Sequence, residues 1–268
     1  MPYEAAATAQ TPALVLYLLD VSGSMGSPMG TGRTRIDVLH DSLRAAAKQM
    51  VGRSTKGNFV SPRYRVGMFA YSASVHNIMG GILSIDALAR VGMPTKIEPM
   101  DMTNTAEGFR LIKKLLLHEI KHLPPGSPAP LVCHMTDGEY SKDTKDPEPI
   151  VREIQAMETP DGNVLVENVL ISDSLAVSTQ STTDWPGYRP GEVLGNRYGE
   201  KLLGMSSPLP ESYRTQILEL GFHIQPGTLM MYPGIRPEFV QLAFVMSTMT
   251  KMTEAAAGER RGDMNTAN

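Results

Sequence analysis

Two hydrophobic patterns alternate along the chain. Short, nearly continuous apolar runs occur at 13–19, 64–71, 131–136 and 164–171, the length and density of strands buried on both faces. Between them lie segments whose apolar residues recur every three or four positions. One covers 35–50, with Leu39, Leu43, Ala46 and Met50 on one face. Another runs from about 104 to 122, with Phe109, Ile112, Leu116 and Ile120 as its stripe. Further helices are predicted at 84–91, 147–157, 210–220 and 237–252, and a short strand at 228–232. A second strand at 73–78 follows 64–71 almost immediately, so these two form an antiparallel edge hairpin. Strands alternating with amphipathic helices predict an α/β fold, with a doubly wound, mainly parallel sheet flanked by helices and one antiparallel edge strand. The expected organisation is a flexible N-terminus at 1–12, a single domain at 13–252 with a long, irregular insertion at about 172–210, and a disordered tail at 253–268.

Composition narrows the function classes. The 268 residues suffice for one large domain with a real core. Lys+Arg 25 against Asp+Glu 28 gives a net charge of −3, without the basic excess of a nucleic-acid binder. A single cysteine, Cys133, excludes an internal disulfide, and its place in an apolar run marks it as a small buried hydrophobe. No apolar run reaches the roughly 18 residues of a membrane span, and no secretory pattern opens the chain. The expectation is therefore a cytoplasmic protein with neither nucleic acid nor membrane as partner.

The chemistry gathers where strands end. The first apolar run gives way to Asp20-Val21-Ser22-Gly23-Ser24, one carboxylate and two hydroxyls at alternate positions. These are hard oxygen donors, suited to a hard cation. In a doubly wound sheet, ligands bind outside the carboxyl ends of the strands. The run at 131–136 also ends in a carboxylate, within Met135-Thr136-Asp137-Gly138, so Asp20 and Asp137 can share one rim. A third piece, Met102-Thr103-Asn104-Thr105, stands just before a helix.

These three pieces, in this order, resemble the metal-ion-dependent adhesion site (MIDAS) of the von Willebrand factor type A (vWA) family. That pattern is D-x-S-x-S, then Thr in a T-x-T-type loop, then Asp in a T-D-G-type turn, and its five positions match Asp20, Ser22, Ser24, Thr103 and Asp137. Thr105 is the other candidate in the T-x-T loop, or else a helix cap. Asp101-Met102 stand where the family commonly has Gly-Gly. The resemblance implies a Rossmann-like vWA fold holding Mg²⁺, with Mn²⁺ or Ca²⁺ as substitutes. Ser22, Ser24 and Thr103 would bind directly, and Asp20 and Asp137 largely through water. It implies a non-enzymatic, cytoplasmic bacterial interaction module, similar to tellurium-resistance-associated vWA proteins. A partner Asp or Glu would complete the metal shell. AAA+ ATPases of the MoxR or chelatase type are one partner class, and this chain has no ATPase motif of its own.

The competing reading is a serine hydrolase. Ser22-Gly23-Ser24-Met25-Gly26 follows a strand and nearly matches G-x-S-x-G, with Asp137 and His223 in acid–base order after Ser24 as nucleophile. The first position is Ser rather than Gly, which provides less well for the strained elbow turn.

Overall fold

The computed structural model describes residues 2–30, 32–94, 97–100, 102–139, 145–172, 175, 181–234, 239–240 and 242–243. Six strands form one sheet: β1 (Ala13–Asp20), β2 (Tyr64–Tyr71), β3 (Val75–Ser84), β4 (Leu131–Thr136), β5 (Leu165–Leu170) and β6 (Met231–Pro233). Their spatial order is β3-β2-β1-β4-β5-β6. All neighbours run parallel except β2 and β3, which pair antiparallel. This is the 3-2-1-4-5-6 order of doubly wound α/β folds, with its outer strand reversed. The strand order reverses between β1 and β4, and a crevice opens beyond their carboxyl ends.

The apolar runs become the inner strands because only a strand covered on both faces can bury every side chain. All eight residues of β1 are buried, as are all of β4 and β5. The edge strand β3 is half-exposed, with polar and small residues interspersed. The principal helices are α1 (Arg35–Ser54), α2 (Ile85–Val91), α3 (Thr105–Glu119), α4 (Glu148–Gln155), α5 (Arg197–Gly204) and α6 (Glu211–Glu219). Thr34 starts α1 through a capping box with Asp37. Asn104 caps α3, its side chain accepting from the Glu107 N–H, so Thr105 is the first helical residue rather than the cap. Within α3, Gly108 lets the helix lie close on the sheet: a Cβ there would stand 3.0 Å from Leu18 Cδ1.

Two segments differ from the sequence expectation. Residues 2–12, expected to be flexible, are fastened to the body. Asp161 accepts the N–H groups of Glu4 and Ala5, and the buried Arg63 guanidinium donates to the Ala7 carbonyl. Polar side chains far away in sequence supply these anchors. The segment 172–210, expected to be irregular, contains α5, capped by Asn196. Surrounded by Gly and Pro, its eight residues are too short for periodicity to stand out. Trp185 from the same segment is buried against Tyr188, Tyr232 and Phe239, so this stretch is part of the core. Of the expected last helix, 239–240 and 242–243 are helical and buried; its remainder and the tail at 253–268 lie outside the described residues.

One core group is costly. Glu167 on β5 is fully buried beside its register partner Cys133, whose Sγ donates to Glu167 Oε1 at 3.2 Å. Among the described residues Oε2 has no partner. Burial pushes the Glu167 carboxyl up to about 8, so it is neutral in the folded protein at pH 7. The unfolded chain, with the ordinary glutamate value near 4.5, binds fewer protons between those two pH values. Stability from this group is therefore complete below about pH 4.5 and is lost as pH rises toward 8. Urea titrations across that window should show stability falling by about 1 kcal/mol per pH unit, and Glu167→Gln should remove that part of the slope. An equally steep slope in Glu167→Gln would assign it to other groups.

Candidate metal centre

The site is assembled by strand register. Asp20, the last residue of β1, lies opposite Tyr71, the last residue of β2. On the other side β1 pairs with β4, which ends at Thr136 just before Asp137. The carboxylate of Asp20 is fully buried and multiply held. Its Oδ1 accepts the Ser22 N–H at 2.9 Å. Its Oδ2 accepts the Thr136 hydroxyl at 2.6 Å and lies 3.3 Å from the Tyr71 hydroxyl. Burial, and then the charge of Asp137, still push the Asp20 carboxyl up to about 7, against the opposing bonds from Ser22 and Thr136. Two carboxylates in this crevice create a demand for positive charge.

After Asp20 the chain makes a single 3-10 turn, Gly23–Gly26, tied by the Met25 N–H to the Ser22 carbonyl. Met25 is fully buried and fastens the turn from beneath, while Ser24 remains half-exposed at the rim. The hydroxyls of Ser22 and Ser24 converge to 3.1 Å. Thr103 arrives from the other side. Met100 donates its N–H to the Val21 carbonyl at 2.6 Å, and Asn104 donates to the Ser72 carbonyl at 2.9 Å. These two bonds bracket Thr103, itself buried, at the carboxyl ends of β1 and β2. Met102 beside it has φ 67°, a left-handed conformation that only a few per cent of non-glycine residues adopt. Asp101 lies outside the described residues.

Asp137 is buried on the turn that follows β4. Gly138 has φ 83° and donates its N–H to the Thr136 hydroxyl at 2.9 Å, so Thr136 serves both Asp20 and this turn. A Cβ at Gly138 would approach Tyr198 Cβ to 2.7 Å, so the turn admits only glycine. Asp137 Oδ1 accepts the Glu139 N–H at 3.1 Å, and its Oδ2 accepts Arg35 Nη1 at 2.6 Å.

Four side chains here escaped the sequence reading: Tyr71, His134, Asn168 and Arg35. The first three make a relay behind Asp20. The Asn168 side-chain amide donates to Ser206 Oγ at 2.9 Å, so its Oδ1 accepts from His134 Nδ1 at 2.8 Å. That leaves His134 Nε2 to accept the Tyr71 hydroxyl at 2.8 Å. Burial pushes His134 down to about 4, and the ring is neutral. Burial, then the Asp20 charge, push the Tyr71 hydroxyl well up. Thr105 joins this group through its contact with the Tyr71 hydroxyl at 3.5 Å. The available signal was three polar residues inside or ending apolar strand runs, positions at which a polar side chain must find a buried partner.

The donor set fits a small hard cation. Among the described residues, no three His, Cys, Asp or Glu side chains group to hold a metal, so an ion here needs the hydroxyls. Metal–oxygen bonds near 2.1 Å place adjacent octahedral ligands about 3.0 Å apart. The Ser22 and Ser24 hydroxyls, hydrogen-bonded to each other at 3.1 Å, stand at about that edge length. The hydrolase arrangement is not assembled. His223 Nδ1 pairs with Asp184 at 3.1 Å, and Asp137 pairs with Arg35.

No protein-family model and no curated protein matches the sequence. Similar folds occur among solved structures. One is a von Willebrand factor type A protein from Catenulispora acidiphila, at 17% identity over 59% of this chain and 33% of that one, TM-score 0.40. A second is the conserved protein BatB from Bacteroides thetaiotaomicron, at 13% identity over 92% of this chain and 99% of that one, TM-score 0.41. The PilB minor pilin from Streptococcus sanguinis is similar at 13% identity over 94% of this chain and 62% of that one, TM-score 0.49. The chain therefore spans a third of the Catenulispora protein and less than two thirds of the pilin. The α/β assignment itself rests on strand order and register.

Thr136→Val keeps the shape of the side chain but removes the hydroxyl that donates to Asp20 Oδ2 and accepts the Gly138 N–H. It should cost roughly 2–3 kcal/mol of stability, read by urea denaturation in EDTA. A loss below 0.5 kcal/mol would mean that water replaces the hydroxyl at both groups.

Proposed function

We propose that this chain is a vWA-type interaction module. In this reading Asp20, Ser22, Ser24, Thr103 and Asp137 hold Mg²⁺, and the module binds a partner protein through an Asp or Glu of that partner. The observation that carries the reading is the pair of hydroxyls 3.1 Å apart, set beside two buried carboxylates at the point where strand order reverses. Bound there, the ion supplies a positive centre with an open position for a carboxylate oxygen. Ser22 and Ser24 present neutral donors and leave much of the ion's charge uncompensated. Thr136 and the Ser22 N–H fix the orientation of Asp20, while Gly138 fixes the turn that carries Asp137. Loss of such supporting contacts typically costs about 10–100-fold in metal affinity. Among the described residues, the hydrogen bonds of His134 and His223 lead away from Ser24, so neither is set beside it as a general base. We therefore assign the site to binding rather than catalysis.

The test is direct metal binding. Mn²⁺ titration followed by electron paramagnetic resonance should reveal one site per chain that Mg²⁺ displaces. Asp20→Ala or the double variant Ser22→Ala/Ser24→Ala should weaken it by about 10–100-fold. A wild-type protein that binds no Mn²⁺ at millimolar concentration, or variants that bind it as well as wild type, would overturn the reading. Once a partner is known, its binding should be lost in EDTA and restored by Mg²⁺.

A further inference from the structure

Among the described residues, Arg35 is the cation paired with a carboxylate of the candidate centre, and its position is unusual for its element. It is the first residue of α1, where the helix dipole disfavours positive charge. Capping does not need it, because Thr34 and Asp37 complete the capping box. Its guanidinium instead reaches back over the Asp20–Ser24 loop. Nη1 lies 2.6 Å from Asp137 Oδ2, 3.4 Å from the Ser24 carbonyl oxygen and 3.7 Å from Glu139 Oε1. One nitrogen thus collects three oxygens from the two loops that carry the candidate metal ligands. The Asp137 side chain is fully buried in this pair, and that of Arg35 is only 18% exposed. A carboxylate so buried needs a cation, and here the chain supplies one.

We infer that Arg35 is a built-in counter-cation of this centre, which a divalent ion must displace from Asp137, and that it sets how tightly the ion binds. The inference rests on the metal-binding reading of the site. Guanidinium and divalent ion make competing claims on the same carboxylate, and their like charges repel at this range. Arg35 keeps the two loops together without metal and lowers metal affinity in proportion. Entry of the ion frees the guanidinium from Asp137, next to the position where a partner carboxylate would bind. A planar guanidinium is well suited to grip a carboxylate.

Mn²⁺ affinity and melting temperature of wild type, Arg35→Gln and Arg35→Lys test this. Arg35→Gln should bind Mn²⁺ about tenfold or more tightly than wild type, the order of one removed unit charge a few ångströms away. Its melting temperature should be lower than wild type in EDTA, and Mg²⁺ should raise it by a larger increment. Arg35→Lys keeps the charge but not the planar fork, so it should bind Mn²⁺ between the two. That ordering is also the readout should Arg35→Gln fail to fold. Wild type that binds Mn²⁺ while Arg35→Gln or Arg35→Lys binds it equally or more weakly would overturn the counter-cation role and leave the metal reading standing. Absence of Mn²⁺ binding in wild type and Arg35→Gln alike would overturn both.

Discussion

A carboxylate buried at the end of a central parallel strand is the constraint around which this molecule is arranged. Asp20 belongs to β1, every residue of which is covered on both faces. An ionised group there loses its hydration and has to be compensated by fixed donors. The protein provides them from two places, the loop that follows at Ser22 and the facing strand at Thr136, while the Tyr71 hydroxyl, whose proton goes to His134, lies 3.3 Å away on the other side. Each donor is available only if β2 and β4 lie in register on either side of β1. A slip of one residue in either pairing would turn Tyr71 or Thr136 to the opposite face. The site and the register are therefore a single structural fact.

The relay behind Asp20 extends the same logic across the sheet. Tyr71 on β2 reaches across β1 to His134 on β4, His134 meets Asn168 on the neighbouring β5, and each satisfies the next. The relay ends on Ser206, just beyond α5. A neutral His134 serves this arrangement, since a charged ring would have both nitrogens as donors and could not accept from Tyr71. The polar network occupies core volume that apolar side chains would otherwise fill. In return it fixes the direction of one carboxylate, which is what a small, geometrically demanding cation requires.

Charge at the rim is balanced in two steps. Asp20 is compensated by neutral donors and Asp137 by Arg35. The proposed magnesium site therefore begins with one carboxylate already paired to a guanidinium. This separates the two acids chemically, although both stand at the ends of adjacent strands.

The sequence alone determined the strands and most of the helices. Continuous apolar runs and three-to-four periodicity report burial, and burial is local information along each element. The fold class was legible too, because strands alternating with amphipathic helices predict a doubly wound, mainly parallel sheet. The candidate donor set was legible through the resemblance of three separated pieces to the MIDAS pattern, with Asp20, Ser22, Ser24 and Asp137 at or just after strand ends and Thr103 preceding a helix. Only tertiary structure decided which polar residues serve those donors. Tyr71, His134 and Asn168 meet through register between strands dozens of residues apart, and no local pattern encodes register. Arg35 reads as an ordinary first-turn residue until the turn after β4 places Asp137 beside it. The docked N-terminus and the buried Trp185 escaped for the same reason. Their partners, Asp161 and Arg63 for one, Tyr232 and Phe239 for the other, are brought near only by the completed fold.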